Sequence, residues 1–241
     1  MNVAFFDVDG TLLPHPSLEK RFFWSLLLAR RIRAANCLVW AAQLAGLRRP
    51  EDSGARCDSK IYLRGVSAIL PEPGQVRWLP EFFPAAIECV WWHALRGDEI
   101  ALATGTLAPL ADLVRAGLER ELLWRGVGTK IAVIATRLAT RDGCWTGKVD
   151  GVPIVGEAKA AAAREFAGSR GVALSRCFAY GDQTEDGAML RSVGNPAAVN
   201  PVPCLRREAL RRGWQVLDWS PCPRRTAGTR RALNWKGEAA R

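Results

Sequence analysis

Six short apolar runs constrain this chain more than any other feature, at residues 3–6, 100–103, 131–134, 177–180, 197–199 and 215–217. Runs this brief, with no polar alternation, suit strands buried on both faces. Helical patterns at about 107–120, 157–168, 185–193 and 203–212 lie between most of them. Alternating strands and helices predict an α/β fold with a doubly wound, mainly parallel sheet. Such a sheet binds ligands beyond the carboxyl ends of its strands, so the residues that follow each run are the first candidates for chemistry.

Two stretches break the alternation. Residues 15–96 are too long for one crossover and read as a helical insertion: an amphipathic helix around 18–46, a polar segment at 48–59, a helical stretch from Lys60 and a helix around 84–96. An insertion directly after the first strand predicts a lid over the site. The second break is 136–152, where Asp142-Gly143 between polar-apolar stretches predicts a hairpin turn. The expected organisation is a core of 1–14 and 97–220, a cap of 15–96, and a poorly ordered basic tail of 221–241.

The first run ends in Asp7-Val8-Asp9-Gly10-Thr11. A carboxylate leaving a strand end can attack phosphorus. A second carboxyl two residues on can protonate a leaving oxygen and later deprotonate water, and Gly10 permits the sharp turn that keeps both near one phosphate. Gly181-Asp182-Gln183-Thr184-Glu185-Asp186 places two more acids after another run. Magnesium prefers oxygen ligands, so Asp7 and Asp182 from neighbouring strand ends could hold it with phosphate oxygens. As a plain alternative, the second acidic group would cap a helix starting near Thr184. Ala103-Thr104-Gly105-Thr106 closes the second run with a hydroxyl and unhindered amides at a helix start, which ordinary capping explains equally well. Lys159 stands at the beginning of a helix, where a cation gains nothing from the dipole but could screen phosphate and carboxylate charge.

Four such sites in this order resemble the haloacid dehalogenase superfamily, whose strand-end motifs read D-x-D-G-T, Ser/Thr, Lys and G-D-x-x-x-D. The long helical insertion is similar to the phosphoserine-phosphatase-like branch (subfamily IB type), as is Ala198-Val199-Asn200-Pro201 before Arg206-Arg207-Glu208 and Gly213-Trp214. The resemblance implies a magnesium-dependent phosphatase acting on a small phosphomonoester through an aspartyl-phosphate on Asp7. It implies Asp9 as acid/base with its backbone carbonyl on the metal, and Thr104 and Lys159 as catalytic phosphate ligands. Thr11 and Gly105 would add phosphate contacts, Asp182 would be a metal ligand, and Asp186 would hold the metal's waters or Lys159. A carboxylate at position 9 favours phosphatase over dehalogenase. The chain departs from phosphoserine phosphatases in reading Thr104-Gly105-Thr106 where Ser-Gly-Gly is expected, which puts phosphoserine as substrate in doubt. Transfer to an alcohol acceptor and hydrolysis of a lipid phosphate ester are the alternatives within this chemistry, and a non-enzymatic scaffold is the reading outside it.

Charge and cysteines bound the partners. The formal net charge is +10, with ten basic and three acidic residues in 206–241 alone; nucleic-acid binding is nonetheless not expected. Phe22, Phe23, Leu26 and Leu27 with Arg30, Arg31 and Arg33 invite a peripheral-membrane reading, against which packing within the cap is the blander account. The apolar run at 22–29 is far shorter than the roughly 20 residues a span needs. Seven scattered cysteines form no metal-ligand spacing, and no basic leader precedes the first run, so the expected location is cytoplasmic. His15 and His93, the only histidines, are too far apart in sequence to suggest a metal site. Arg64 is a candidate cap residue facing substrate.

Overall fold

The computed structural model describes residues 1–45, 60–70 and 76–220. The expected polar segment at 48–59 and the basic tail lie outside them. Seven strands form one sheet in the order β4-β3-β2-β1-β5-β6-β7, made of β1 (Val3–Phe6), β2 (Glu99–Leu107), β3 (Ile131–Arg141), β4 (Cys144–Asp150), β5 (Phe178–Gly181), β6 (Asn195–Val199) and β7 (Gln215–Leu217). All pairs are parallel except β3 with β4. All six expected runs are strands.

The four residues of β1 are fully buried, because the strand lies mid-sheet with cores on both faces. Ala4 and Phe6 join a cluster with Leu102, Leu110, Val114 and Leu118, whereas Val3 and Phe5 join Ala101, Ala160, Ala163, Met189 and Leu205. The period-two alternation of a strand sends successive side chains to opposite cores. Helices α3 (Pro84–Leu95) and α4 (Ala108–Trp124) therefore cover one face, and α5 (Gly156–Ser169), α6 (Gly187–Ser192) and α7 (Pro203–Arg212) the other. This is the doubly wound arrangement expected. Burying Leu110, Leu118 and Leu122 of α4, each with no exposed surface, contributes roughly 2 kcal/mol apiece before chain entropy is counted.

The insertion differs in detail from expectation. Residues 18–46 form two helices, α1 (Leu18–Leu28) and α2 (Ala34–Leu44). The break is a Schellman-type stop: Arg30 is left-handed at φ 53°, its amide bonds Leu27 O, and the Arg31 amide reaches back to Leu26 O. That position usually carries glycine, and arginine gives no such signal in the sequence. From Lys60 there is only one 3-10 turn, Ile61–Leu63. The chain then runs along the β3–β4 hairpin, with Gly65 N on Trp145 O, Trp145 N on Val66 O and Ala68 N on Gly143 O. Trp145 is buried and stands edge-on to Phe22 of α1, centroids 5.8 Å apart. The hairpin turn at Asp142-Gly143 takes positive φ at both residues, as a type I′ turn requires. Helix α3, within the range expected for the cap, packs on β2 and α4 of the sheet. Among the described residues no helix is long and apolar enough to cross a membrane.

Candidate active site

The register fixes the site. Phe6 stands between Leu102 of β2 and Tyr180 of β5, so Asp7 emerges at the carboxyl end of β1 between β5, which ends one residue on, and β2, which runs on to Leu107. Its amide donates to Tyr180 O at 2.9 Å. Lys159, in the first turns of α5, is buried and donates to Asp7 Oδ1 at 2.8 Å and to Asp186 Oδ1 at 2.5 Å. Asp186 accepts from the Asp182 and Gln183 amides on its other oxygen, both at 3.0 Å, which folds the loop after β5 around it. The acidic cap and the active-site carboxylate are thus the same residue.

Three buried acids around one lysine leave negative charge in excess. Burial, with Asp186 and Asp9 adding to it, pushes the Asp7 carboxyl up to about 7 although Lys159 pulls the other way. Burial likewise raises Asp182 to about 8, reinforced by Asp7 and Asp186. Burial alone would lower the Lys159 ammonium, but the two carboxylates outweigh it and hold it protonated.

Carboxylate oxygens of Asp7, Asp182 and Asp186 lie within 4.8 Å of one another. Asp182 Oδ1 is buried without a hydrogen-bond partner among the described residues. An all-oxygen donor set with surplus negative charge and an orphaned carboxylate oxygen fits a hard divalent cation such as Mg2+.

Gly10 makes this convergence feasible. Its φ is +85°, and a Cβ there would lie 2.2 Å from Asp182 Oδ2 and 2.7 Å from His15 Nε2. Thr11 is fully buried and its hydroxyl has no partner among the described residues. Thr104 is buried, with Oγ1 accepting from the Thr106 amide at 3.2 Å. The strand does not stop there: β2 continues through a bulge to Leu107 before α4 begins. The amides of Gly105 and Thr106 therefore belong to a bulged strand end and not to a helix start. Gly105 faces Val155, whose Cγ1 would lie 2.8 Å from any Cβ at that position.

Asp9 is held apart from the other acids. Its Oδ2 accepts the Thr106 hydroxyl at 2.7 Å and its Oδ1 accepts the amide of Leu18, the first residue of α1, at 2.7 Å.

Three contributors were not read from the sequence. Thr106 anchors Asp9. His15 Nε2 lies 3.3 Å from Asp182 Oδ2. Asn200 donates to Gly10 O at 3.0 Å and accepts the Trp219 amide at 2.7 Å, tying the turn after β1 to the end of the sheet. His93 is buried away from the site, between Asp98 and the Tyr180 hydroxyl. The Arg64 backbone carbonyl accepts from Asn36, and among the described residues its side chain forms no ion pair with the site's acids.

Against known proteins, the family model of haloacid dehalogenase-like hydrolases matches residues 4–191. A Streptomyces azureus protein named for inhibition of morphological differentiation is 33% identical over 90% of this chain and 78% of its own length. Phosphoserine phosphatase SerB1 of Mycobacterium tuberculosis is 32% identical over 90% of this chain and 70% of its own. A solved Bordetella pertussis protein of unknown function superposes with a TM-score of 0.65 at 29% identity, over 90% of this chain and 98% of that one.

Proposed function

The chain belongs to the haloacid dehalogenase-like hydrolases and is a phosphatase of the phosphoserine-phosphatase-like branch, and from that premise we propose that it hydrolyses a small phosphomonoester through an aspartyl-phosphate on Asp7. The observation that carries this reading is the buried bridge from Lys159 to Asp7 and Asp186 beside the unpartnered Asp182 oxygen.

Lys159 occupies Asp7 Oδ1, which leaves Oδ2 to attack phosphorus. As that bond forms, the ester P–O bond breaks and the alcohol takes a proton from Asp9. Water then attacks the phosphorus of the acyl-phosphate, gives its proton to Asp9, and orthophosphate leaves as the Asp7 carboxylate is restored. Asp9 accepts two hydrogen bonds here, an arrangement suited to the ionised form that the second step uses. Carrying a proton in the first step uses a remaining lone pair and weakens the bond that the protonated oxygen accepts; one of the two donors belongs to α1, so we place the acid under the influence of the insertion. Lys159 offsets charge on the transferring group, while the Thr104 hydroxyl, the Gly105 amide and Thr11 are the remaining phosphate contacts. Mg2+, held by Asp7, Asp182 and the Asp9 carbonyl, would supply further charge stabilisation for the phosphoryl oxygens. We take α1, α2 and the strand-like 64–68 segment as the cap that selects the alcohol.

The name of the mycobacterial relative supports including phosphoserine in the substrate search, and Thr106 in place of a glycine argues for testing other esters beside it. Phosphate release from a panel of small phosphomonoesters, with Mg2+ or with EDTA, tests the mechanism. Asp7→Asn is expected to fold and to lose roughly a thousandfold or more in turnover. Turnover near that of the unaltered protein would refute the role of Asp7.

A further inference from the structure

Helix α1 is apolar on both faces. Leu18, Phe22 and Leu26, spaced four apart, are at most 5% exposed and pack inward, whereas Trp24, Leu27 and Leu28 are 57%, 40% and 84% exposed. The latter three share a face, Leu27 and Leu28 lying three and four residues after Trp24. Phe23, part of the stripe noted in the sequence, packs on Trp40 and Tyr62 and meets the edge of Trp24, so cap packing explains Phe22, Phe23 and Leu26 of that stripe and leaves Leu27 exposed beside Trp24 and Leu28. Leu38 of α2 is a further exposed apolar residue, at 71%.

The charge around this face is one-sided. Residues 20–45 contain Lys20, Arg21, Arg30, Arg31 and Arg33 and neither Asp nor Glu. Lys20, Arg30, Arg31 and Arg33 are exposed, and none is in an ion pair among the described residues. Another exposed tryptophan, Trp124, differs: the arginine that follows it, Arg125, is paired with Glu88 and Glu121, and Arg115 of the same helix with Glu119. An exposed tryptophan and leucines ringed by unpaired arginines is the pattern that partitions to a bilayer interface, with the rings at headgroup depth and the cations on anionic lipid. Bare leucines gain nothing from a nucleic-acid backbone, which charge alone would satisfy.

We propose that the tip of the α1–α2 hairpin, formed by Trp24, Leu27, Leu28, Arg30, Arg31 and Arg33, docks the protein on an anionic lipid bilayer. Because the α1 amide at Leu18 sits on Asp9, the docked tip lies one helix length, about 15 Å, from the acid/base carboxyl.

Co-sedimentation of the full chain with vesicles tests this, comparing phosphatidylcholine alone with equal parts phosphatidylcholine and phosphatidylglycerol. The mixed vesicles are expected to bind the protein and the neutral ones to bind it weakly. Trp24→Ser/Leu28→Ser should weaken binding to mixed vesicles about tenfold or more, with only a small fall in melting temperature because both side chains are mostly exposed and Trp24 keeps a single ring contact, to Phe23. Arg31→Glu/Arg33→Glu should remove the preference for anionic lipid. Three outcomes overturn the proposal: no sedimentation with mixed vesicles; a serine double variant that binds as tightly as the parent, which would assign binding to charge elsewhere, such as the arginines at 224–231; or an equilibrium-sedimentation dimer that Trp24→Ser dissolves, which would give the face to a second copy of the chain.

Discussion

At the scale of single residues, the site is a set of hydrogen bonds whose donors can be removed one at a time. Among the described residues the Thr106 hydroxyl donates to Asp9 and to no other acid, so its loss should disturb the acid/base without disturbing the phosphate contacts. A hydrogen bond to a charged group contributes about 1.5–3 kcal/mol. Thr106→Val, which keeps the volume, should therefore lower kcat roughly tenfold to a hundredfold with little change in KM, and Thr106→Ser should restore most of it. A change confined to KM would mean that Thr106 faces substrate and does not position Asp9. Asp182 offers a second test through the charge excess. If its orphaned oxygen is a metal ligand, Mg2+ should raise the melting temperature of the parent protein and leave Asp182→Asn almost unmoved, since a ligand stabilises by its occupancy of the folded state. Equal shifts in both proteins would place the cation elsewhere. Asp7, Asp182 and Lys159 were legible in the sequence because each follows a short apolar run or opens a helix, and a strand end is where such a side chain meets a ligand. Thr106, His15 and Asn200 were not, because their partners Asp9, Asp182 and Gly10 are brought to them by sheet pairing and loop closure and no local pattern announces them.

At the scale of elements, strands buried on both faces declared themselves by continuous apolar composition, and the type I′ hairpin by Asp142-Gly143. The insertion was harder to read. A single helix over 18–46 is what its composition favours, and the chain breaks it with Arg30 in a conformation that L-residues enter at a cost of about 1–2 kcal/mol. Segment 60–68 is irregular in sequence because its order comes from the hairpin: the backbone of Gly65, Val66 and Ala68 pairs with residues 143–145. The cost at Arg30 makes a specific expectation. Arg30→Gly should raise stability by about 0.5–1 kcal/mol, the strain relieved exceeding the entropy glycine adds to the unfolded chain. Denaturant unfolding reads this directly, and a clear loss of stability would show that the arginine side chain holds the turn by contacts that outweigh its backbone strain.

At the scale of the whole molecule, β1 occupies the centre of the sheet, where crossovers turn outward in both directions, and this places its end between the end of β5 and the carboxyl-terminal half of β2. Beneath that junction the sheet is tied to α3 by a buried polar chain. Asp98 Oδ2 accepts from His93 Nδ1 at 2.9 Å, and His93 Nε2 in turn accepts the Tyr180 hydroxyl at 2.9 Å, an assignment in which the imidazole is neutral. Tyr180 stacks on Phe6, one residue before Asp7. Burial lowers the His93 pKa below its ordinary 6.5. The hydrogen bond and charge of Asp98 oppose this only in part, and Arg96, itself paired with Asp98, adds to the lowering; Tyr180, against which Cys89 also lies, stays neutral through this range. The unfolded chain therefore takes up a proton near pH 6.5 that the folded protein refuses. Stability from this site is fully present above pH 6.5 and is lost as pH falls toward the folded value, at about 1.4 kcal/mol per pH unit in that window. Asp7 and Asp182 work in the opposite sense, since their raised pKa values favour the folded protein as pH falls, so the parent's own melting curve mixes the two. The separable quantity is the difference between the parent and His93→Gln, measured in saturating Mg2+ from pH 7.5 down to about 5. The glutamine variant should be less stable at pH 7.5 and the gap should narrow steadily below pH 6.5; a gap that instead widens as pH falls from 7.5 to 6.5 and is level below would mean that His93 is charged in the folded protein and that the chain from Asp98 to Tyr180 is an ion pair and not a neutral relay.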